Sequence, residues 1–226
     1  MLTSPWPTQP DRTTPIGKMI DSYLRSQSDL DDRAIHLLFS ANRWEVALVP
    51  SSTLCPFNFV FILLLGSCRS SIETLLSEGT TVICDRYAFS GIAFTHAKSL
   101  LISAPVGASD ILSYEWCRAP DAGLPAPDLT LFLDIAPEAA RLRGGYGDER
   151  YEKRELQQRV REVFGRIEED VRQSGGRWVT IDAGRDKEAV WSELWYYVED
   201  LADGLEDGQT SKLWPPTSRP NNISDV

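Results

Sequence analysis

The sequence is poor in most features that mark a metalloprotein, a membrane protein or a nucleic-acid binder. It has two histidines and four cysteines, Cys55, Cys68, Cys84 and Cys117, and the cysteines show no metal-ligand spacing. That pattern predicts free thiols in a reducing compartment rather than a zinc site or a disulfide framework. Positive charge is scarce too. Against 33 Asp and Glu stand 23 Lys and Arg, for a net charge of −10, which excludes a general grip on nucleic acid. A small anion stays open, because a few arginines reverse the field inside a cleft. No apolar run approaches the ~20 residues that a helix needs to cross a bilayer. The stretch Phe57 to Leu65 holds nine residues, with Asn58 alone polar, so no membrane anchor is expected. No basic-then-apolar leader is visible, there is no internal repeat, and the sequon Asn222-Ile223-Ser224 reads as chance.

What is present suits a folded enzyme-sized domain. The 226 residues predict one domain, or at most two. An apolar content of 42% supports a core, and 25% charge is ordinary. Pro15 starts a helix expected to reach about Arg25. Asp29, Asp31 and Asp32 favour the start of a second, running to about Glu45, with Ala34, Leu37, Leu38 and Ala41 as its core stripe. Thr80 to Cys84 is a short β-branched run, read as a buried strand, and a helix follows it to about Leu101. Ser103 to Ser113 reads as loop. Leu129 to Asp134 and Trp178 to Asp182 are further strands. Pro137 to Leu142, Glu149 to Ser174 and Lys187 to Leu201 are helices. Strands alternating with helices imply a parallel sheet with right-handed crossovers.

The most informative stretch is Val82-Ile83-Cys84-Asp85-Arg86-Tyr87-Ala88-Phe89-Ser90-Gly91. Open α/β sheets bind ligands at the carboxyl ends of their strands. An Asp-Arg pair there suits a magnesium-phosphate site: Arg86 would fork onto phosphate oxygens, and Asp85 would reach a metal or its water. The other reading is a surface ion pair at a strand end. Phe39 and Arg43 are four apart on a helix and share one face. Phe39 offers either an aromatic stacking face or ordinary core, and Arg43 adds a hydrogen-bond donor to that face. Arg12 reads as a phosphate ligand or a surface arginine. Ser90 and Gly91 allow close approach at a helix start, although Gly91 also suits packing.

Five blocks then give the chain a family likeness. They are Pro10-Asp11-Arg12-Thr13-Thr14-Pro15-Ile16-Gly17, His36 to Glu45, Asp85 to Gly91, Pro120-Asp121-Ala122-Gly123-Leu124-Pro125-Ala126-Pro127-Asp128, and Gly147-Asp148-Glu149-Arg150-Tyr151-Glu152. In this order the chain resembles the eukaryotic-type thymidylate kinases from about Pro10 to about Trp214. The resemblance implies a P-loop-kinase-like α/β fold, a three-layer parallel sheet with helices on both faces. It implies transfer of the ATP γ-phosphate to dTMP with Mg2+, in a cytosolic or nuclear, typically dimeric, protein. In that scheme Arg86, Asp85 and Arg12 serve the transfer, with Asp85 near the metal. Phe39, Arg43, Ser90, Gly91, Tyr151 and Gln157 meet dTMP, while Arg143 and Arg185 meet the ATP. Residues 143–157 become a lid whose glycines give hinge freedom; the alternative is a solvated charged helix start.

Two departures qualify the likeness. The donor cradle of such kinases, G-x-x-x-x-G-K-[ST], occurs nowhere in the sequence. The expectation is therefore a chain without the phosphate loop and without the strand that the family places centrally in its sheet. The link from 46 to 69 is also longer than the family carries, and it reads as an intron-like insertion. Valine codons begin with the splice donor GT, and Cys68-Arg69 can be written TGC-AGG, an acceptor. Residues 1–207 are read as one kinase-like domain and 208–226 as a mobile tail. A catalytically dead nucleotide-binding remnant is one rival reading. An interaction protein using the Phe57–Leu65 run as an apolar patch is another.

Overall fold

The computed structural model describes residues 14–44, 59–60, 69–79, 81–84, 86–102, 111–142, 154–204 and 211–215. Thr14 caps the first helix, α1 (Pro15–Leu24), by accepting from the Gly17 amide at 3.0 Å, and Pro15 supplies a ready helical φ at its first turn. The second helix, α2 (Asp32–Trp44), packs on it. Between them Ile20, Tyr23 and Ile35 form a small buried cluster, with Leu38 and Phe39 half-buried around it.

α2 corrects the expected core stripe. Ala34 is exposed and Leu37 is 46% exposed, whereas Ile35, His36, Ser40 and Asn42 are buried. The helix is gripped on two sides. Ile35 and Leu38 face α1, Asn42 reaches the Thr14 cap of α1, and His36 and Ser40 face the middle of the molecule, where distant partners satisfy them. An apolar stripe cannot reveal a face buried through hydrogen bonds.

Next come β1 (Phe59–Val60), α3 (Arg69–Ser77) and β2 (Thr81–Val82). β1 lies in the stretch read as an insertion, and its backbone pairs in parallel with β2, Phe59 beside Thr81 and Val60 beside Val82. The rest of the Phe57–Leu65 run lies outside the described residues. After β2 runs α4 (Ala88–Ile102). A helix that sequence reading missed, α5 (Tyr114–Arg118), leads into a 3-10 turn at Ala119–Asp121. β3 (Leu129–Asp134), α6 (Pro137–Leu142), α7 (Arg154–Gln173), β4 (Arg177–Asp182) and α8 (Lys187–Gly204) complete the order.

β3 and β4 pair in parallel over six residues, from Leu129 beside Arg177 to Asp134 beside Asp182. The crossover between them carries α7, whose Leu156, Val160, Val163, Ile167 and Val171 recur at helical spacing and are buried. Because strand side chains alternate, Phe132 and Trp178 share the face that meets α7, with the Phe132 ring tilted against that of Phe164 at 4.6 Å. On the other face Ile181 is buried, but Leu133 is 49% exposed. Among the described residues the strands form two parallel pairs, β1 with β2 and β3 with β4.

The main core joins α4 to α7 through Phe89, Ile92, Ala93 and Ala97 on one side and Val160, Val163 and Ile167 on the other. Part of the expected tail belongs to it. The Gly123 amide donates to the Leu213 carbonyl at 2.8 Å, Leu213 donates to Leu124, and Ala126 donates to Ser211, each also at 2.8 Å. Leu213 is buried, and the Trp214 ring meets Phe89 edge-on at 5.9 Å.

Candidate functional site

Two pieces of chain meet the C-terminal half of α2, the turn at 119–126 and the start of α4, and the clasp at 211–214 pairs with the turn. The turn is shaped by Pro120 and by Gly123, whose φ of +91° suits a residue without a Cβ. Pro120 offers its carbonyl to the Trp44 indole N–H at 2.8 Å, and the Ser40 oxygen lies 3.1 Å from that carbonyl. The Tyr87 hydroxyl, just ahead of α4, donates to the Pro125 carbonyl at 3.2 Å. The turn is thereby tied to both helices.

At the centre is an ion pair. Arg43 donates Nε to Asp121 Oδ1 at 3.0 Å and Nη2 to Asp121 Oδ2 at 2.6 Å, in the two-pronged geometry that suits guanidinium and carboxylate. Ser40 Oγ donates to the same Oδ1 at 2.7 Å. Asp121 is fully buried and the Arg43 side chain is 12% exposed. Two charges this deep persist only when their hydrogen bonds are well made, and here three converge on one carboxylate. Gly91 lies against the same guanidinium. A Cβ built there would stand 3.1 Å from Nη2 and 3.5 Å from Nη1, so the glycine leaves room for α4 to approach the arginine.

One turn before Ser40, His36 braces the same helix. Its Nε2 lies 2.8 Å from the Cys117 carbonyl, and its Nδ1 lies 2.9 Å from Thr95 Oγ1. A carbonyl only accepts, so Nε2 carries the proton and Nδ1 accepts from the threonine. Burial foremost holds the imidazole pKa below its usual value, and the Arg43 charge adds to this.

The arrangement brings together some of the residues expected from sequence. Arg43 and Gly91 touch. Phe39 lies one turn before Arg43, half-buried on the cluster formed with α1. Ser90 is half-buried in the first turn of α4. Arg86, two residues ahead of α4, is exposed with a φ of +62°. Such left-handed backbone is uncommon for a residue with a side chain and is often held at working sites. Gln157 is half-buried in the first turn of α7. Arg185 sits after β4, where it pairs with Glu193 and donates Nε to the Asp182 carbonyl at 3.0 Å, an exposed ion pair. Arg12, Asp85, Arg143 and Tyr151 lie outside the described residues. Sequence reading quoted Asp121 within a block but gave it no role. Its signal was an acid beside proline in a short turn, and the partner that gives it meaning lies 78 residues away. No group of three His, Cys, Asp or Glu side chains gathers to hold a metal among the described residues.

Comparison with known proteins supplies the context. The thymidylate kinase family profile matches residues 5–194. Thymidylate kinase from Schizosaccharomyces pombe is 43% identical over 185 residues, covering 82% of this chain and 72% of the relative. The Arabidopsis thaliana thymidylate kinase is 41% identical over 206 residues, covering 91% of this chain and 63% of the relative. A solved structure of thymidylate kinase from Candida albicans aligns with a TM-score of 0.70 at 35% identity, covering 90% of this chain and 83% of that one.

Proposed function

The chain belongs to the thymidylate kinase family, and from that membership we propose that it transfers the γ-phosphate of ATP to dTMP, giving ADP and dTDP, with Arg43, Phe39, Gly91 and Arg86 on the acceptor side. One observation carries the residue assignment. A guanidinium is buried, pinned by Asp121 and set against Gly91, one helical turn beyond Phe39, where α4 begins. Such an arginine would donate to a base carbonyl while Phe39 bears on the ring, a contact of the kind worth about 1–3 kcal/mol. Arg86 is exposed before the first turn of α4, where helix N–H groups favour an anion. It would take the acceptor phosphate and offset charge as the phosphoryl group moves.

The chemistry needs little from the protein beyond placement. In-line transfer asks that the two phosphates be held close and their charge neutralised. Magnesium would arrive with ATP, held chiefly by phosphate oxygens. Asp85 remains the proposed protein group nearest it. Arg12 would join Arg86 at the phosphate, Ser90 would line the acceptor pocket, and Tyr151 and Gln157 would close over dTMP from the lid at 143–157. Arg143 and Arg185 would meet ATP, with Arg185 leaving Glu193 to do so. The proposal includes a homodimer in the cytosol or nucleus, and no helix among the described residues is long and apolar enough to cross a membrane. We extend the kinase-like domain from 207 to the segment 211–214, which packs in the main core, and keep 46–69 as an intron-like insertion, to be tested by sequencing the transcript. The comparisons give no support to the catalytically silent remnant.

Turnover of ATP and dTMP to dTDP, followed by chromatography of the nucleotides, tests the reading. The chain as written should be assayed beside a form supplied with a G-x-x-x-x-G-K-[ST] segment. Arg86→Ala should lower kcat by about 10²–10³-fold, the scale of one lost transition-state donor. Equal turnover in Arg86→Ala and wild type would overturn the role given to Arg86, and absence of dTDP from both forms would overturn the activity.

A further inference from the structure

An arginine on a flexible stem is a poor reader of a base, because its five N–H groups can turn many ways. Asp121 removes that freedom from Arg43. The carboxylate takes Nε and one hydrogen of Nη2, at 3.0 and 2.6 Å. This fixes the plane of the guanidinium as well as its position. Gly91 bounds the guanidinium as well, with Nη2 3.1 Å and Nη1 3.5 Å from where a Cβ there would stand, and Nη1 is the nitrogen the carboxylate leaves unengaged. Ser40 holds the carboxylate in turn, at 2.7 Å from Oδ1, and the same hydroxyl lies 3.1 Å from the Pro120 carbonyl. α2 thus carries both the arginine and the hydroxyl that steadies its partner.

We infer that Asp121, seconded by Ser40, is a positioning residue that sets which edge Arg43 presents to the pyrimidine ring, and with it the preference for a ring carbonyl over a ring amine. The inference rests on the reading that Arg43 meets the base. Arginine only donates, so a fixed donor edge welcomes the carbonyl of a thymine and opposes the amino group that cytosine carries in its place. A loose guanidinium could turn away from that amine and would discriminate less. Asp121 itself need not touch the substrate.

The test is binding of dTMP and of dCMP to the full chain by calorimetry, for wild type, Arg43→Ala, Asp121→Asn and Ser40→Ala. Wild type should favour dTMP. Asp121→Asn should shrink that preference about tenfold, the scale of one well-aligned hydrogen bond. Ser40→Ala leaves the ion pair in place, so the fold is kept, and should shrink the preference several-fold. Loss of support for the fold alone would weaken both nucleotides together and leave their ratio intact. Arg43→Ala separates the inference from the reading beneath it. Should Arg43→Ala abolish the preference while Asp121→Asn and Ser40→Ala preserve it, the positioning role is overturned and the reading stands. An unchanged preference in Arg43→Ala overturns the reading itself.

Discussion

Adding a single carbon at Gly91 tests the packing of α4 against Arg43. In Gly91→Ala the new Cβ would stand 3.1 Å from Arg43 Nη2, 3.5 Å from Nη1 and 3.7 Å from the central carbon. An exposed arginine would swing aside at little cost. This one cannot, because Nη2 already lies 2.6 Å from Asp121 Oδ2 and Nε is held at 3.0 Å. Either the ion pair stretches or α4 backs away from the turn at 119–126. Overpacking of this kind costs about 1–3 kcal/mol. Alanine returns part of that, since it favours a helix over glycine by roughly 0.5–1 kcal/mol. The net loss should be about 1–2 kcal/mol, or a melting temperature lower by about 2–8 °C for a chain of this size. Differential scanning calorimetry reads it directly. The control is the same substitution in a chain carrying Arg43→Met and Asp121→Asn, where the charged pair is gone. There Gly91→Ala should be neutral or slightly stabilising. A variant that melts at or above wild type would refute the reasoning. So would an equal loss in both backgrounds, because the obstacle would then not be the pinned guanidinium.

Two further outcomes follow from the same packing. The His36 pKa is lowered in the fold, so the unfolded chain takes up a proton near its ordinary value of about 6.5 before the folded one does. Stability from this residue is therefore full above about pH 6.5 and declines as pH falls below it; His36→Gln should flatten that part of a melting-temperature profile, and identical profiles would dismiss the role. Leu213 is 6% exposed, so Leu213→Ala should cost about 2–5 kcal/mol in urea unfolding, and a chain ending at Gly208 should lose at least as much.

The fold was legible wherever burial leaves an apolar rhythm. α7 carries Leu156, Val160, Val163, Ile167 and Val171 on one side, and β3 and β4 are compact apolar runs, so their bounds could be read to within a few residues. The limits of α1 and α6 followed from Pro15 and Pro137. Reading failed where burial is polar. The inward side of α2 holds His36, Ser40 and Asn42, and two of these have acceptors on the turn near Cys117 to Asp121. No local pattern announces a partner so far along the chain. α5 has five residues, too few to display a period. Of the candidate site, Arg43 and Gly91 were found as separate motif members, but their contact and the carboxylate behind it are properties of the fold alone. Two-residue β1 falls in a stretch read as an insertion, and nothing in its composition identifies β2 as its neighbour.

The pairing of 123–126 with 211–213 has a consequence for the order of assembly. The loop holding Asp121 is edged by a segment that follows it far along the chain. α2, α4 and much of their interface can form before that segment has been made, but the loop gains its edge only once Leu213 is available. A polypeptide stalled before Leu213 would display α2 beside an unbraced turn.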